Sequence, residues 1–177
     1  FKSTFYQSLP LYSDDLSIQN KYDLAKYYSP NENAIISLKF LAESINSLSG
    51  DDVRISKRIY LPSRRLRGFE SGKIGPVDGG DYIGGNYASA LNLATTLPGL
   101  LTDLEDVDFS LFFDAGNVWG VDYGDTTSSN SKIRSSTGLG IEWLTPIGPL
   151  SFSFSKAITK ADSDETETFR FDIGTSF

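Results

Sequence analysis

Carboxylates are the side chains most open to a chemical reading in this chain. Asp162, Asp164, Glu165 and Glu167 stand close together, a density of oxygen donors that could hold a hard cation such as Ca²⁺. The run lacks the turning glycine and the ligand spacing of a calcium loop, so it reads as a solvated acidic loop. Asp122 and Asp125 read the same way. Softer metal sites are excluded by composition, because the 177 residues include no His, Cys or Met. With those residues go thiolate and imidazole ligands, disulfides, thiol nucleophiles and the imidazole base that a serine nucleophile needs. Neither a Gly-x-Ser-x-Gly elbow nor a phosphate-cradling glycine loop is present. No catalytic residue, metal or cofactor is therefore expected, and the chain reads as something other than an enzyme. A net charge of -7, from 16 basic and 23 acidic side chains, also argues against nucleic acid as a partner, since phosphate tracking relies on Lys and Arg.

The elements that carry these side chains show period-two alternation, as strands do. Ile36, Leu38, Phe40 and Ala42 share one face, with Ser37, Lys39, Leu41 and Glu43 on the other. Val107, Phe109, Leu111, Phe113 and Ala115 alternate with Asp108, Ser110, Phe112, Asp114 and Gly116. Leu139, Ile141 and Trp143 oppose Gly138, Gly140 and Glu142, and Leu150, Phe152 and Phe154 oppose Ser151, Ser153 and Ser155. Phe169, Phe171 and Ile173 alternate with Arg170, Asp172 and Gly174. A soluble sandwich also has one apolar face. Here the second face is built from Gly, Ser, Asp, Glu and Arg, as in a wet barrel lumen, and the registers run for about ten residues, enough for a tilted strand to cross hydrocarbon. No stretch approaches the roughly 18 to 20 apolar residues of a membrane helix.

Connections alternate in length as well. Short turns near 29–33, 97–99 and 145–148 separate longer polar loops at 13–17, 49–84, 120–132 and 159–168, the pattern of an outer-membrane barrel. The expected fold is all-β: an antiparallel transmembrane β-barrel portion of about eight up-and-down strands with one long inward-folding loop. The strands fall near 1–9, 17–29, 33–47, 85–97, 106–119, 133–145, 149–158 and 167–177, as one domain over 1–177. Residues 53–61 alternate too, but Lys57 on their apolar face argues against lipid exposure and places them in the loop. Tyr27, Tyr28, Tyr87, Trp119, Trp143 and Phe177 suit interfacial girdles. The chain begins at Phe1 without an initiator Met or a signal peptide, and reads as mature, or as starting downstream of an export signal, and as cut from something longer.

Leu66-Arg67-Gly68-Phe69-Glu70, followed by Ile74-Gly75-Pro76 and Gly84-Gly85-Asn86, resembles the loop signature of the barrel-assembly (BamA-type) family and its transporter relatives. The segments Phe112-Phe113-Asp114-Ala115-Gly116-Asn117-Val118-Trp119 and Gly138-Leu139-Gly140-Ile141-Glu142-Trp143-Leu144-Thr145-Pro146 follow, and then a strand ending in Phe177. The resemblance implies the C-terminal half of a larger bacterial outer-membrane barrel, completed by an amino-terminal half and preceded by periplasmic domains. It implies a loop tucked into the lumen, with Arg67 of the Arg67-Gly68-Phe69 motif meeting Asp114 and Glu142 on the wall. Two positions depart from the family: Leu61-Pro62-Ser63 stands where Gly-Gly usually precedes the motif, and an acidic position on the following strand falls on Ala94. The function implied is insertion of outer-membrane proteins at a barrel seam, with nascent client strands, outer-membrane lipid and accessory lipoproteins as partners. A polypeptide-secreting transporter of the same superfamily, or a passive diffusion barrel, is the alternative.

Barrel geometry adds a constraint of its own. Eight closed strands enclose an interior just filled by side chains, whereas about sixteen leave room for a channel. A loop as long as 49–84 fits inside only if the eight strands form an open curved sheet or part of a larger barrel. The last strand, with Phe169, Phe171, Ile173, Gly174 and Phe177, resembles the signal by which such proteins are themselves assembled. Deleting Phe177, or Phe177→Asp, is expected to lower membrane yield far more than Phe171→Asp, although both face lipid in this register; equal yields of folded protein would remove the signal role.

Overall fold

In a computed structural model, residues 1–8, 16–101, 106–122, 132–146 and 148–174 are described. The strands in chain order are β1 (Lys2–Ser8), β2 (Ser17–Asn31), β3 (Ala34–Ser47), β4 (Val77–Asp78), β5 (Asp81–Tyr82), β6 (Tyr87–Leu97), β7 (Val107–Trp119), β8 (Arg134–Thr145), β9 (Gly148–Thr159) and β10 (Phe169–Ile173). Eight of them form one antiparallel sheet in the order β1-β2-β3-β6-β7-β8-β9-β10. Neighbours in the sheet are neighbours in sequence, apart from the long excursion between β3 and β6. Within that excursion β4 and β5 make a small hairpin beyond the expected eight strands. Gly79 and Gly80 at its tip have φ of 59° and 96°, the doubly left-handed backbone that a two-residue hairpin turn requires.

Cross-strand register sorts the side chains into two faces. Leu38, Leu93, Phe113 and Thr137 form one outward row, and Leu111, Leu139, Phe154 and Phe169 another. Most of these apolar side chains are exposed, which is unfavourable in water and suited to hydrocarbon. Inward rows are mostly small or polar, with Leu41 the apolar exception: Asp23, Leu41, Ala90, Gly116 and Arg134 in one, and Lys39, Asn92, Asp114 and Ser136 in the next. Tyr27 belongs to the inner face, opposite Ser37 and with the Lys39 ammonium 5.9 Å from its ring centre. It is therefore not part of an outer girdle. Tyr87 and Trp119 do lie on the outer face, stacked with centroids 6.0 Å apart.

The buried apolar core lies between the sheet and the inserted loop. Val53, Ile59, Leu61, Leu66, Phe69 and Ile74 from the loop cluster with Leu41, Ile45, Ala88, Ala90 and Val118 from the inner wall. This accounts for the alternation at 53–61. Val53, Ile59 and Leu61 are buried against the wall, while Ile55 and Lys57 sit exposed in a 3-10 turn, Ile55–Lys57. Among the described residues the only ladder contact of that stretch is an isolated bridge from Ile59 to Gly85. Among the described residues β1 and β10 do not pair with each other, so the sheet is open, with two free edges and the loop in its hollow.

The two faces should respond differently to charge. Leu93→Arg, on the outer face of β6, is expected to destabilise the lipid-inserted protein by about 2–4 kcal/mol. Thr96→Arg, on the lumenal face of the same strand, should cost markedly less. Urea unfolding in vesicles measures both, and equal penalties would contradict the assignment of faces.

Candidate functional site

The inserted loop meets the wall most tightly at Arg67. A 3-10 turn, Ser63–Arg65, ends the preceding segment and delivers Arg67 to the inner face of β7. Asp114 there has a fully buried side chain. Its Oδ2 accepts Arg67 Nε at 2.7 Å and the Arg67 backbone N–H at 3.1 Å, while Oδ1 accepts Arg67 Nη2 at 2.8 Å and Asn92 Nδ2 at 2.8 Å. Four donors match the acceptor capacity of an ionised carboxylate. That saturation is what allows the charge to remain buried, since an unpaired carboxylate in such a place costs several kcal/mol.

Arg67 is also held from two other sides. Its carbonyl accepts the Ser136 hydroxyl of β8, and its guanidinium carbon lies 3.5 Å from the centre of the Phe112 ring, a cation–π geometry. Phe112 can lie against the wall because its register partner is Gly138: a Cβ there would come within 2.7 Å of the ring and 2.1 Å of the Phe154 carbonyl oxygen. Gly68 follows with φ +90°, and a Cβ on it would meet Ser136 Cβ at 3.1 Å. Phe69, 1% exposed, enters the apolar core. The motif thus has three jobs for three residues: a fork for a carboxylate, a left-handed turn pressed onto the wall, and an apolar plug.

Glu142 lies outside this contact. It is on the inner face of β8. Glu142 and Arg67 line the same cavity, but the side-chain hydrogen bonds of Arg67 go to Asp114. The β6 residue that reaches Asp114 is Asn92, not Ala94, which sits opposite Phe112. Asn92 also donates to the Arg65 carbonyl at 2.9 Å. Nothing in the residue types of Asn92 and Ser136 marks them as partners of the motif.

Flanking contacts extend the fastening across the sheet. Arg65 forms an ion pair with Asp23 on β2, and Arg170 on β10 donates to the Ser63 hydroxyl and to Glu167. The acidic segment 160–168 is also more than a solvated loop. Asp164 is fully buried on Arg134, and Glu165 holds Lys73 at 3.1 Å, drawing the Lys73 ammonium above its ordinary range through that hydrogen bond. Asp122 likewise accepts the Val53 N–H at 2.8 Å and the Asn86 amide. Asp125 lies outside the described residues.

The last strand presents Phe169, Phe171 and Ile173 outward, all exposed. Phe171 rests on Phe152, and Phe169 on Phe154, each pair with centroids 5.0 Å apart. Gly174 follows with φ +72° and donates its N–H to the Pro149 carbonyl. Phe177 lies outside the described residues.

The chain matches the Omp85 superfamily domain over residues 1–177. It is 34% identical over 140 residues to the outer membrane protein assembly factor BamA of Neisseria meningitidis serogroup B, a match covering 63% of this chain and 17% of that protein. It is 31% identical over 122 residues to the human sorting and assembly machinery component 50 homolog, covering 62% of this chain and 26% of that one. The solved structure of BamA from Haemophilus ducreyi lacking POTRA domains 1-3 superposes with a TM-score of 0.80 at 29% identity, over 93% of this chain and 36% of that chain. The chain thus spans well under half the length of each of these relatives. Matched along all its residues and sharing its curved β wall with a solved relative, the chain belongs to the Omp85 superfamily.

Proposed function

We propose that this chain supplies the carboxyl-terminal wall and the lumenal loop of an outer-membrane protein assembly factor in a Gram-negative bacterium. The observation that carries this reading is the open sheet whose inner face is fastened to a loop through Arg67 and Asp114. Such a wall keeps its curvature while β10 leaves one edge of unpaired N–H and C=O groups, a template for a further strand. The Neisseria relative is named an assembly factor, and the human relative a component of a sorting and assembly machinery. Client strands would pair along β10, and the completed seam would use strands and periplasmic domains supplied outside these 177 residues. The reading assigns no catalysis: strand insertion exchanges hydrogen-bonding partners and needs no covalent step.

Photocrosslinkers placed singly at residues 169–173 of the full-length protein should capture nascent outer-membrane proteins during insertion. Capture of a secreted soluble polypeptide instead would favour a transporter. Ion conductance without any captured client would favour a passive barrel, and either result would overturn the proposal.

The loop contact yields a second expectation. Arg67→Lys keeps the charge but cannot hold both carboxylate oxygens in a planar fork, and should loosen the loop by about 1.5–3 kcal/mol. Arg67→Ala, which strands the buried Asp114 charge, should cost about 3–5 kcal/mol. Both should slow client insertion in the order Ala worse than Lys, measured beside the unfolding midpoint in the same vesicles. Insertion at the original rate in both variants would separate the loop contact from function.

A further inference from the structure

A second buried ion pair lies apart from the Arg67 contact. Arg134, the first residue of β8, and Asp164, in the segment joining β9 to β10, both have fully buried side chains. The pair is bidentate, Nε to Oδ2 and Nη2 to Oδ1, each at 2.9 Å. Arg134 Nη1 also donates to the Lys132 carbonyl at 3.0 Å and to the Asn117 side chain on β7, and Asp164 Oδ2 accepts the Ala161 N–H. Replacing such a pair by apolar residues of similar volume is often neutral or stabilising, so net stability does not explain its presence. What a forked pair adds is a fixed geometry.

That geometry fixes one particular segment. The Glu167 N–H donates to the Gly68 carbonyl, the Glu70 N–H to the Glu165 carbonyl and the Glu165 N–H to the Lys73 carbonyl, at 3.1, 3.1 and 3.2 Å. Phe69 and Thr166 form an antiparallel bridge. The 160–168 segment therefore lies along the motif turn as a short extra strand on one side, and continues directly into the edge strand β10 on the other. At the start of β10, Arg170 reaches back to Ser63.

We propose that Arg134 and Asp164 are a positioning pair that holds the β9–β10 connection on the Arg67-Gly68-Phe69 turn, so that the inserted loop and the loop-side end of the edge strand move as one unit. Its functional meaning rests on the reading of β10 as the strand that clients join. In this arrangement the loop cannot shift in the hollow without disturbing the upper end of β10, and release of that end loosens the loop.

The test uses the full-length protein in lipid vesicles and amide hydrogen exchange. Asp164→Asn should raise exchange together, by about tenfold or more, in residues 68–73 and in residues 165–170, with little change at β3 and β6. Arg134→Met/Asp164→Leu removes both charges at similar volume and should give the same joint loosening without an orphan charge to impair folding. Glu70 and Glu165 stand opposite each other beside the Phe69–Thr166 bridge, within the Cα separation a disulfide accepts. Glu70→Cys/Glu165→Cys in the Asp164→Asn background should restore protection of both segments when oxidised and lose it on reduction. Exchange rising only within 160–168, or rising throughout the wall without rescue by the disulfide, would overturn the coupling. Client insertion that follows the oxidation state supports coupling and assembly role together. Restored protection without any change in insertion supports the coupling and counts against the assembly reading.

Discussion

The structure depends on keeping one carboxylate charged in a place without water. Asp114 faces the hollow of the sheet with no exposed surface, and its four donors come from a loop residue and from β6. Three of those donors belong to Arg67. If the loop leaves, the carboxylate loses three of its four donors; if the wall lacks the charge, the loop loses its fork. The apolar plug then follows: Leu66 and Phe69 flank Arg67 and can reach Leu41, Ala90 and Val118 only with the turn in place.

This arrangement solves a problem that any open section of a barrel has. Its outer face is satisfied by hydrocarbon, but its inner face has no second layer to bury. Inward residues are accordingly of two kinds. Where the loop lies against them they are apolar or very small, as with Leu41, Ile45, Ala90 and Gly116, or polar and paired with it, as with Asp23, Asn92, Asp114 and Ser136. Elsewhere they are polar and border an open cavity of about 770 Å³, as with Lys39, Asp108, Ser110 and Glu142. The loop is thus the hydrophobic core of a wall that otherwise has none.

Strand positions were legible because alternation records the contrast between lipid and lumen directly. Leu38, Phe40, Leu111 and Phe113 could not face anything else, and the eight long strands lie within a few residues of the expected ranges. The motif was legible by resemblance and not by physics, since an arginine in a loop is ordinarily solvated. Partners that depend on register across three strands were not. Asn92 in place of Ala94 is a two-residue shift along β6, and alternation reports which face a residue takes and not which inward neighbours meet: Glu142 shares a cavity with Arg67 without being hydrogen-bonded to it. Asp164 was misread for a related reason: four carboxylates in a polar run look solvated until Arg134, thirty positions earlier, closes over one of them. The pattern at 53–61 looked like a strand because packing on an inner wall can also select every second residue.

The contacts of Ser63 and Arg65 bear on the curvature of the sheet. Ser63 is held by Arg170 on β10 and Arg65 holds Asp23 on β2, yet the two loop residues are separated by no more than about 7 Å of backbone. Between β2 and β10 the sheet runs through six strand spacings of about 4.8 Å each. A path around the wall of roughly 29 Å is therefore bridged by a shorter line made of two arginine side chains and one tight turn. A chord of set length under an arc of set length admits a single radius, so these two arginines act as a gauge for the curvature of the wall.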